Sequence, residues 1–152
     1  MRVDFYQLGA ASLEQVIASL SEKLVEQGER LIIVAADEAS LARLDRLLWD
    51  QGAASFIPHA VAGGSEDARQ PILLSTTADA ANRARNLLIA DGTWRESALA
   101  FHRAFYLFDS TTLEEARSAW RSLAARDEVE RHYWANDNGR WVEKSASSAQ
   151  SA

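Results

Sequence analysis

The sequence has 152 residues, the length of one domain, and its 47% apolar and 25% charged residues exclude wholesale disorder. Sixteen basic residues against 22 acidic ones give a formal charge of −6, which disfavours direct, strong binding of duplex DNA. Cysteine is absent, which excludes disulfides and thiolate sites, and no signal-like segment or apolar run of about 18 residues occurs, so we expect a cytoplasmic protein without membrane contact.

The chain opens with a strand, a helix and a second strand. Residues 3–8 read as a strand, and Ser12 followed by Gln15 forms a capping-box-like start to a helix. Apolar residues then recur at helical spacing up to Gly28, a C-terminal stop signal. Residues 30–36 follow as a continuous apolar run, which is typical of a parallel strand covered on both faces.

A second helix and several short strands come next. Asp37 is placed to cap this helix, whose buried stripe is Leu41, Leu44 and Leu48. Residues 55–59 are a short strand candidate, and Pro58 places it at a sheet edge or ends it, because proline cannot donate to a ladder. Further apolar runs, separated by alanine-rich and tryptophan-containing segments, occupy residues 71–75, 86–90 and 104–109. Strands that alternate with helices predict a mostly parallel α/β sheet with right-handed crossovers.

The last third of the chain predicts a long helix and a hairpin. Thr111 with Glu114 opens the helix, which we expect to run to about residue 125. The aromatic segment after it reads as a hairpin that turns at Asn138-Gly139, a strong tight-turn signal. Residues 145–152 are small and polar and predict a flexible tail, which leaves residues 1–144 as a single domain.

The sequence lacks the usual motifs of a cofactor or catalytic site. Gly9 stands alone, Gly63-Gly64 lacks the spacing of a dinucleotide fingerprint, and no lysine lies near a glycine pair. His59, His102 and His132 have no paired metal-ligand spacing, and no serine sits in a nucleophile elbow. We therefore expect no cofactor, no metal and no catalytic residue.

Asp37 and Glu38 support one alternative, a small α/β enzyme or nucleotide-binding domain. They follow the second strand at its carboxyl end, where open α/β sheets often place ligand groups. The simpler interpretation is a helix cap followed by a carboxylate that favours the helix dipole.

Arg117, Trp120 and Arg121 stand at i, i+3 and i+4 in the last predicted helix, so two guanidinium groups flank one indole on a single face. One interpretation is a tryptophan packed on the sheet with arginines that extend to water. The other is a receptor for a short acidic peptide with an apolar end, because the arginines suit carboxylates and the ring supplies an apolar wall.

Trp49, Phe56 and Pro58 form a second candidate surface. Trp49 ends a helix whose inward stripe is already complete, and Phe56 and Ile57 alternate, so one of the two faces the core if the segment is a strand. The pattern alone leaves open whether the aromatic side chains are buried or form a docking surface for a partner.

The stretch from residue 31 to residue 64 resembles the chi subunit of bacterial DNA polymerase III. The shared order is a strand, a helix ending in Leu-Trp, and a Ser-Phe-x-Pro-His segment. The opening Val-Asp-Phe-Tyr-Gln-Leu, the Pro-Ile-Leu-Leu-Ser strand and the terminal Arg, Trp and Tyr pattern agree with the same family over nearly the whole chain.

The resemblance implies a single-domain, Rossmann-like three-layer fold without a nucleotide site. It also implies a non-catalytic protein that bridges the clamp-loader complex, through the psi subunit or a diverged equivalent, to the acidic tail of single-stranded DNA-binding protein, with DNA contacted only indirectly. Carried over by motif, Trp49, Phe56, Pro58 and His59 would face psi. Arg117, Trp120 and Arg121 would hold the tail.

Overall fold

Eight strands form one sheet in the part of the chain that the computed structural model describes, residues 1–50 and 57–147. The strands are β1 (Arg2–Gln7), β2 (Leu31–Val34), β3 (His59–Val61), β4 (Ile72–Ser75), β5 (Asn86–Ile89), β6 (Arg103–Phe108), β7 (Glu130–Asp137) and β8 (Arg140–Ser147). The helices are α1 (Leu13–Glu26), α2 (Glu38–Trp49) and α3 (Leu113–Leu123), with short 3₁₀ turns at Asp67–Arg69 and Glu96–Ala100.

The strand order is β3-β4-β2-β5-β6-β1-β7-β8, and every neighbouring pair is parallel except β7 with β8. Strand β1 therefore lies between β6 and β7, with Asp4 opposite Phe105 on one side and His132 on the other. This arrangement confirms the predicted α/β class and its mostly parallel sheet.

Helices cover both faces of the sheet because the strands are apolar on both. In β2, Ile32 and Val34 point to the face that carries α3, whereas Leu31 and Ile33 point to the face that carries α1 and α2. All four side chains are fully buried. The continuous apolar run in the sequence thus marks a central strand of a three-layer domain.

The first two helices start where their caps predict. The Ser12 hydroxyl accepts a hydrogen bond from the Gln15 amide at 3.3 Å, and the Asp37 carboxylate accepts one from the Ser40 amide at 2.8 Å. Gly28 follows α1 with φ of +74°, a left-handed conformation that glycine adopts without strain.

Two connections and one helix differ from the sequence prediction. The alanine-rich segment between β4 and β5 contains no helix, and the segment before β6 forms only a 3₁₀ turn. Helix α3 starts at Leu113 and ends at Leu123, and the hydroxyl and amide of Thr111 donate to the Asp109 carboxylate instead of capping the helix. An alanine-rich composition favours helix only weakly, and tertiary packing decides such short segments.

The hairpin forms as predicted. Asn138 and Gly139 have φ of +52° and +85°, the left-handed conformations that a two-residue hairpin turn needs. Strand β8 continues to Ser147, beyond the domain boundary expected at residue 144. Of the predicted strand at residues 55–59, the described part forms a strand only from His59, at the sheet edge that Pro58 indicates.

Candidate functional site

Helix α3 and the β7–β8 hairpin enclose a groove of about 420 Å³, lined by Arg117, Trp120, Arg121, Tyr133, Lys144 and Ser145. We call it the α3 groove. Arg117, Trp120 and Arg121, which the sequence analysis singled out, lie together in this groove. The hairpin adds one aromatic side chain, Tyr133, and one cation, Lys144.

Trp120 forms the apolar wall of the α3 groove and is partly buried. Its ring lies edge-on to Phe5 at 5.1 Å and to Tyr133 at 5.8 Å, measured between ring centroids. The Arg131 guanidinium lies 4.2 Å from the centroid of the same ring and donates to the Trp120 carbonyl at 2.7 Å. These contacts hold the indole in one orientation at the edge of the core.

The first interpretation of this motif agrees with the packing of Trp120, and the receptor interpretation stays a prediction. Trp120 packs on the sheet, as the structural interpretation predicts, and Arg117 and Arg121 remain exposed beside it. Arg117 pairs with Glu114 at 3.1 Å, but the two side chains are 56% and 82% exposed, so this surface pair contributes little stability. Within the described residues, no acidic side chain lies within ion-pairing distance of Arg121 or Lys144.

The hairpin residues of the groove were not singled out from the sequence. The Tyr133 hydroxyl donates to the side-chain carbonyl of Gln7, and burial raises the pKa of Tyr133, an effect that nearby Arg117 opposes. The strand register shifts between Tyr133 and Trp134, so that Lys144 has no direct partner across the hairpin. This irregularity lets Lys144 line the α3 groove together with its neighbour Ser145.

The second candidate surface lies at the opposite end of the sheet. Trp49, at the end of α2, is 58% exposed, whereas its neighbour Leu48 is fully buried. Ile57 is 2% exposed and packs in the α1–α2 core, Pro58 is partly exposed, and Phe56 lies outside the described residues. The structure therefore assigns Ile57 to the core and Trp49 to the surface.

His59 is buried beneath Trp49 and positions it. The two ring centroids are 5.1 Å apart. The His59 Nδ1 lies 2.7 Å from the Ile57 carbonyl, and its Nε2 lies 2.9 Å from the Asp45 carboxylate. We call Trp49, Pro58 and His59 the Trp49 surface. His59 supports this surface from below and offers little area to a partner.

Asp37 acts as a helix cap. Its carboxylate accepts from the Ser40 amide, and this hydrogen bond holds the pKa of Asp37 below its usual value. Glu38 lies exposed in the first turn of α2. Within residues 1–50 and 57–147, no group of three or more His, Cys, Asp or Glu side chains could hold a metal ion. No helix in these ranges is long and apolar enough to span a bilayer.

The mostly parallel sheet, its two helical layers and the two aromatic surfaces define an α/β domain with candidate protein-interaction sites. A family model described as DNA polymerase III chi subunit, HolC, matches residues 1–130. The chain belongs to the DNA polymerase III chi subunit family.

Two curated relatives carry the name DNA polymerase III subunit chi. One, from Pseudomonas aeruginosa, is 40% identical over 91 residues, which are 58% of this chain and 62% of that protein. The other, from Escherichia coli K12, is 26% identical over 117 residues, which are 75% of this chain and 80% of that protein. The match to the Pseudomonas protein thus spans less than two thirds of its length.

The region matched by the family model ends where β7 begins. Most of the hairpin therefore lies beyond the matched region, although it supplies half of the residues that line the α3 groove.

Proposed function

We propose that this chain is a non-catalytic accessory subunit of the DNA polymerase III holoenzyme in the cytoplasm. It would link the clamp-loader complex to the acidic carboxyl-terminal tail of single-stranded DNA-binding protein. The α3 groove would hold the tail, and the Trp49 surface would meet psi or a diverged equivalent. Through the tail, the protein would contact coated DNA indirectly.

The main support for this proposal is the chemistry of the α3 groove. Arg117, Arg121 and Lys144 provide three exposed cations around the edge of Trp120, while Tyr133 adds a second ring. An acidic peptide that ends in an aromatic residue needs cations for its carboxylates and an apolar wall for its ring. The local positive charge makes this binding possible although the whole chain has a formal charge of −6.

The expected affinity is modest. Two charge-assisted hydrogen bonds of about 1.5–3 kcal/mol each, with an aromatic contact, support a dissociation constant near the micromolar level, or about 8 kcal/mol. Solvent screening lowers the contributions of the exposed cations, so the micromolar level is the tightest binding that we expect for one tail. Because a coated strand displays several tails, weak single contacts add up through local concentration.

The Trp49 surface supports the second half of the proposal. An exposed tryptophan that is fixed from below by a buried His59 loses little side-chain freedom when a partner covers it. Exposed, orientated aromatic side chains are the residues that most often anchor protein interfaces. This surface lies on α2 and β3, far along the sheet from β7 and β8, so both ligands can bind together.

The α3 groove is tested by fluorescence anisotropy with a labelled acidic peptide that ends in Pro-Phe. We expect the double variant Arg117→Ala, Arg121→Ala to bind it at least about 10-fold more weakly, a loss of about 1.4 kcal/mol. The matched control is Arg43→Ala, Arg46→Ala, which removes two exposed arginines at similar spacing from α2. Equal affinity of the two double variants would contradict the tail-site assignment.

A further inference from the structure

A second, larger groove lies on the sheet face opposite α3. It has a volume of about 920 Å³ and runs between α1 and the β7–β8 hairpin, with side chains of β1 and β6 in its floor. Its lining on β1 runs from Arg2 to Tyr6, which are four positions or roughly 13 Å apart. We call it the β1 groove. It shares no lining residue with the α3 groove.

Three cations line one end of the β1 groove. Arg2 and Arg103 both contact the fully buried carboxylate of Asp4, at 2.9 Å and 2.8 Å. Their side chains remain 36% and 35% exposed, and the contact of Arg103 uses only its Nε atom. Lys23 of α1 is the third cation and is exposed.

The ion cluster at Asp4 leaves a surplus of positive charge. One arginine is enough to neutralise one buried carboxylate, so the second guanidinium gives Arg2, Asp4 and Arg103 a net charge of about +1. Lys23 adds a further positive charge, and among the lining residues Asp137 is acidic, near the hairpin turn. Glu130 and Glu143 lie outside the lining on the same sheet face, where both are hydrogen-bonded to His132 and Glu130 also attracts Arg2.

Three aromatic rings line the middle of the groove beside these cations. Tyr6 and Trp134 lie nearly parallel, with centroids 6.4 Å apart and an interplanar angle of 14°. Trp141 stands perpendicular to Tyr6 at 5.0 Å. The Trp134 Nε1 donates to Asp4 at 3.0 Å, so the ion cluster also orientates this indole. Both tryptophans are partly exposed.

We propose that the β1 groove binds a short segment of single-stranded nucleic acid. Phosphates would contact Arg2, Lys23 and Arg103, and bases would stack against Trp134 and Trp141. A positively charged groove with adjacent aromatic rings is the arrangement with which proteins hold single strands, because every base has a π face and every nucleotide carries one negative charge. This direct contact would be additional to the indirect contact through the tail, and it stands independently of the tail site because the two grooves use different residues on opposite faces of the sheet.

The alternative occupant is an acidic peptide. A peptide would use the same cations, but it supplies flat rings only at particular positions. Every nucleotide carries a flat base, so a single strand can stack on both of the partly exposed tryptophans, Trp134 and Trp141.

The test is fluorescence anisotropy of the full chain with a labelled oligothymidylate of about 12 nucleotides at low salt. We expect Lys23→Ala to weaken binding by about 3-fold, whereas Lys144→Ala, which removes the other lysine from the α3 groove, leaves it unchanged. Trp141→Ala should weaken binding by about 10-fold, because base stacking on an aromatic ring has a large effect. The matched control is Trp49→Ala, which removes an exposed tryptophan elsewhere.

Salt dependence provides a readout that does not depend on a folding-sensitive variant. Three cations limit the slope of log K against log salt to about −2 for a single strand. A slope near −2 together with the Lys23 and Trp141 effects supports the proposal. Equal effects of Lys23→Ala and Lys144→Ala, no saturable binding of the oligonucleotide, or saturation only with an acidic peptide would overturn it.

Discussion

At the scale of single residues, neighbours in the sequence have opposite roles. Leu48 is fully buried and Trp49 is 58% exposed, although both are large, apolar residues in the last turn of α2. The helical period decides this difference, because a step of one residue rotates a side chain by about 100°. The Leu41, Leu44 and Leu48 stripe therefore takes the inner face, and Trp49 falls outside it.

Trp49→Ala should leave the fold intact and weaken binding of a purified psi-type partner by at least about 10-fold. Surface substitutions usually change stability by no more than about 0.5 kcal/mol, whereas Leu48→Ala should cost about 2–5 kcal/mol. Calorimetric titration and urea unfolding of both variants provide the measurements. If Trp49→Ala bound the partner as wild type does, this surface would not be the docking site.

Asp4 makes stability depend on acid pH. Burial raises the pKa of its carboxyl, but contacts with Arg2, Arg103 and Trp134 outweigh burial and lower the pKa below its ordinary value of 3.8. The carboxylate therefore stabilises the fold above the unfolded-state pKa, and this stabilisation disappears as the pH falls through the lower folded-state pKa.

Replacing Asp4 with Asn should destabilise the protein by about 2–4 kcal/mol near neutral pH, because two partly exposed guanidinium groups lose their buried counter-ion. The variant should also lose less stability than wild type between about pH 5 and pH 2. Urea unfolding midpoints across this range measure both effects. Parallel pH profiles of wild type and variant would show that Asp4 does not carry the acid dependence.

Among the elements, the start of α3 packs closely against a glycine in the loop after β5. Gly92 has φ of +72°, and a Cβ atom at this position would lie 2.4 Å from Cγ2 of Thr112, the residue that precedes α3. The Gly92 carbonyl also accepts a hydrogen bond from the buried Tyr106 hydroxyl at 2.5 Å. The loop at Gly92 thus packs closely against the residue that precedes α3, and α3 forms one wall of the α3 groove.

Gly92→Ala should therefore be more destabilising than Gly28→Ala. Both glycines have nearly the same positive φ, but a Cβ at Gly28 meets no atom within 4 Å. Backbone strain of about 1–2 kcal/mol is common to both variants, and the contact with Thr112 is added only at Gly92. Thermal unfolding compares the two, and we expect the larger loss to accompany weaker peptide binding. Equal losses of stability in the two variants would mean that Thr112 can shift away from the added Cβ atom at no cost.

Local sequence signals predicted only part of the hairpin. The Asn138-Gly139 turn was predicted because the geometry of a tight turn selects residues that tolerate positive φ. The irregular register near Lys144 was not predicted, because pairing across two strands depends on both strands and on the sheet beneath them. For this reason, no pattern in the sequence predicted that Lys144 lines the α3 groove.

At the scale of the whole molecule, the sheet separates the two grooves. The α3 groove and the β1 groove lie on opposite faces, and the β7–β8 hairpin contributes to both because its side chains alternate between the faces. One element thus supplies the wall of two candidate sites.

We expect the acidic peptide and the oligonucleotide to bind together. The dissociation constant of the oligonucleotide should change by less than about 2-fold when the peptide saturates the α3 groove, because the ligands share no contact and compete for no cation. Anisotropy titrations with and without saturating peptide measure this coupling. Mutual displacement would mean that both ligands use one groove.

The local features of this protein can be predicted from its residue order. The helix caps at Ser12 and Asp37, the buried stripe of α2, the apolar central strand and the hairpin turn all depend on residues within a few positions of one another. The family, too, is indicated by the order of residue types within residues 31–64 alone. Side-chain periodicity and capping chemistry act over such short distances, so they can be read from the chain directly.

Contacts between residues far apart in the chain follow from the order of the strands in the sheet. Asp4 contacts Arg103, 99 positions away, and Trp134, 130 positions away, because β1 lies between β6 and β7 in the sheet. No local pattern specifies that strand order, since many orders would bury the same apolar faces. The two grooves depend on it, and for that reason Tyr133, Lys144 and the cluster around Asp4 became visible as candidate site residues only in the folded chain.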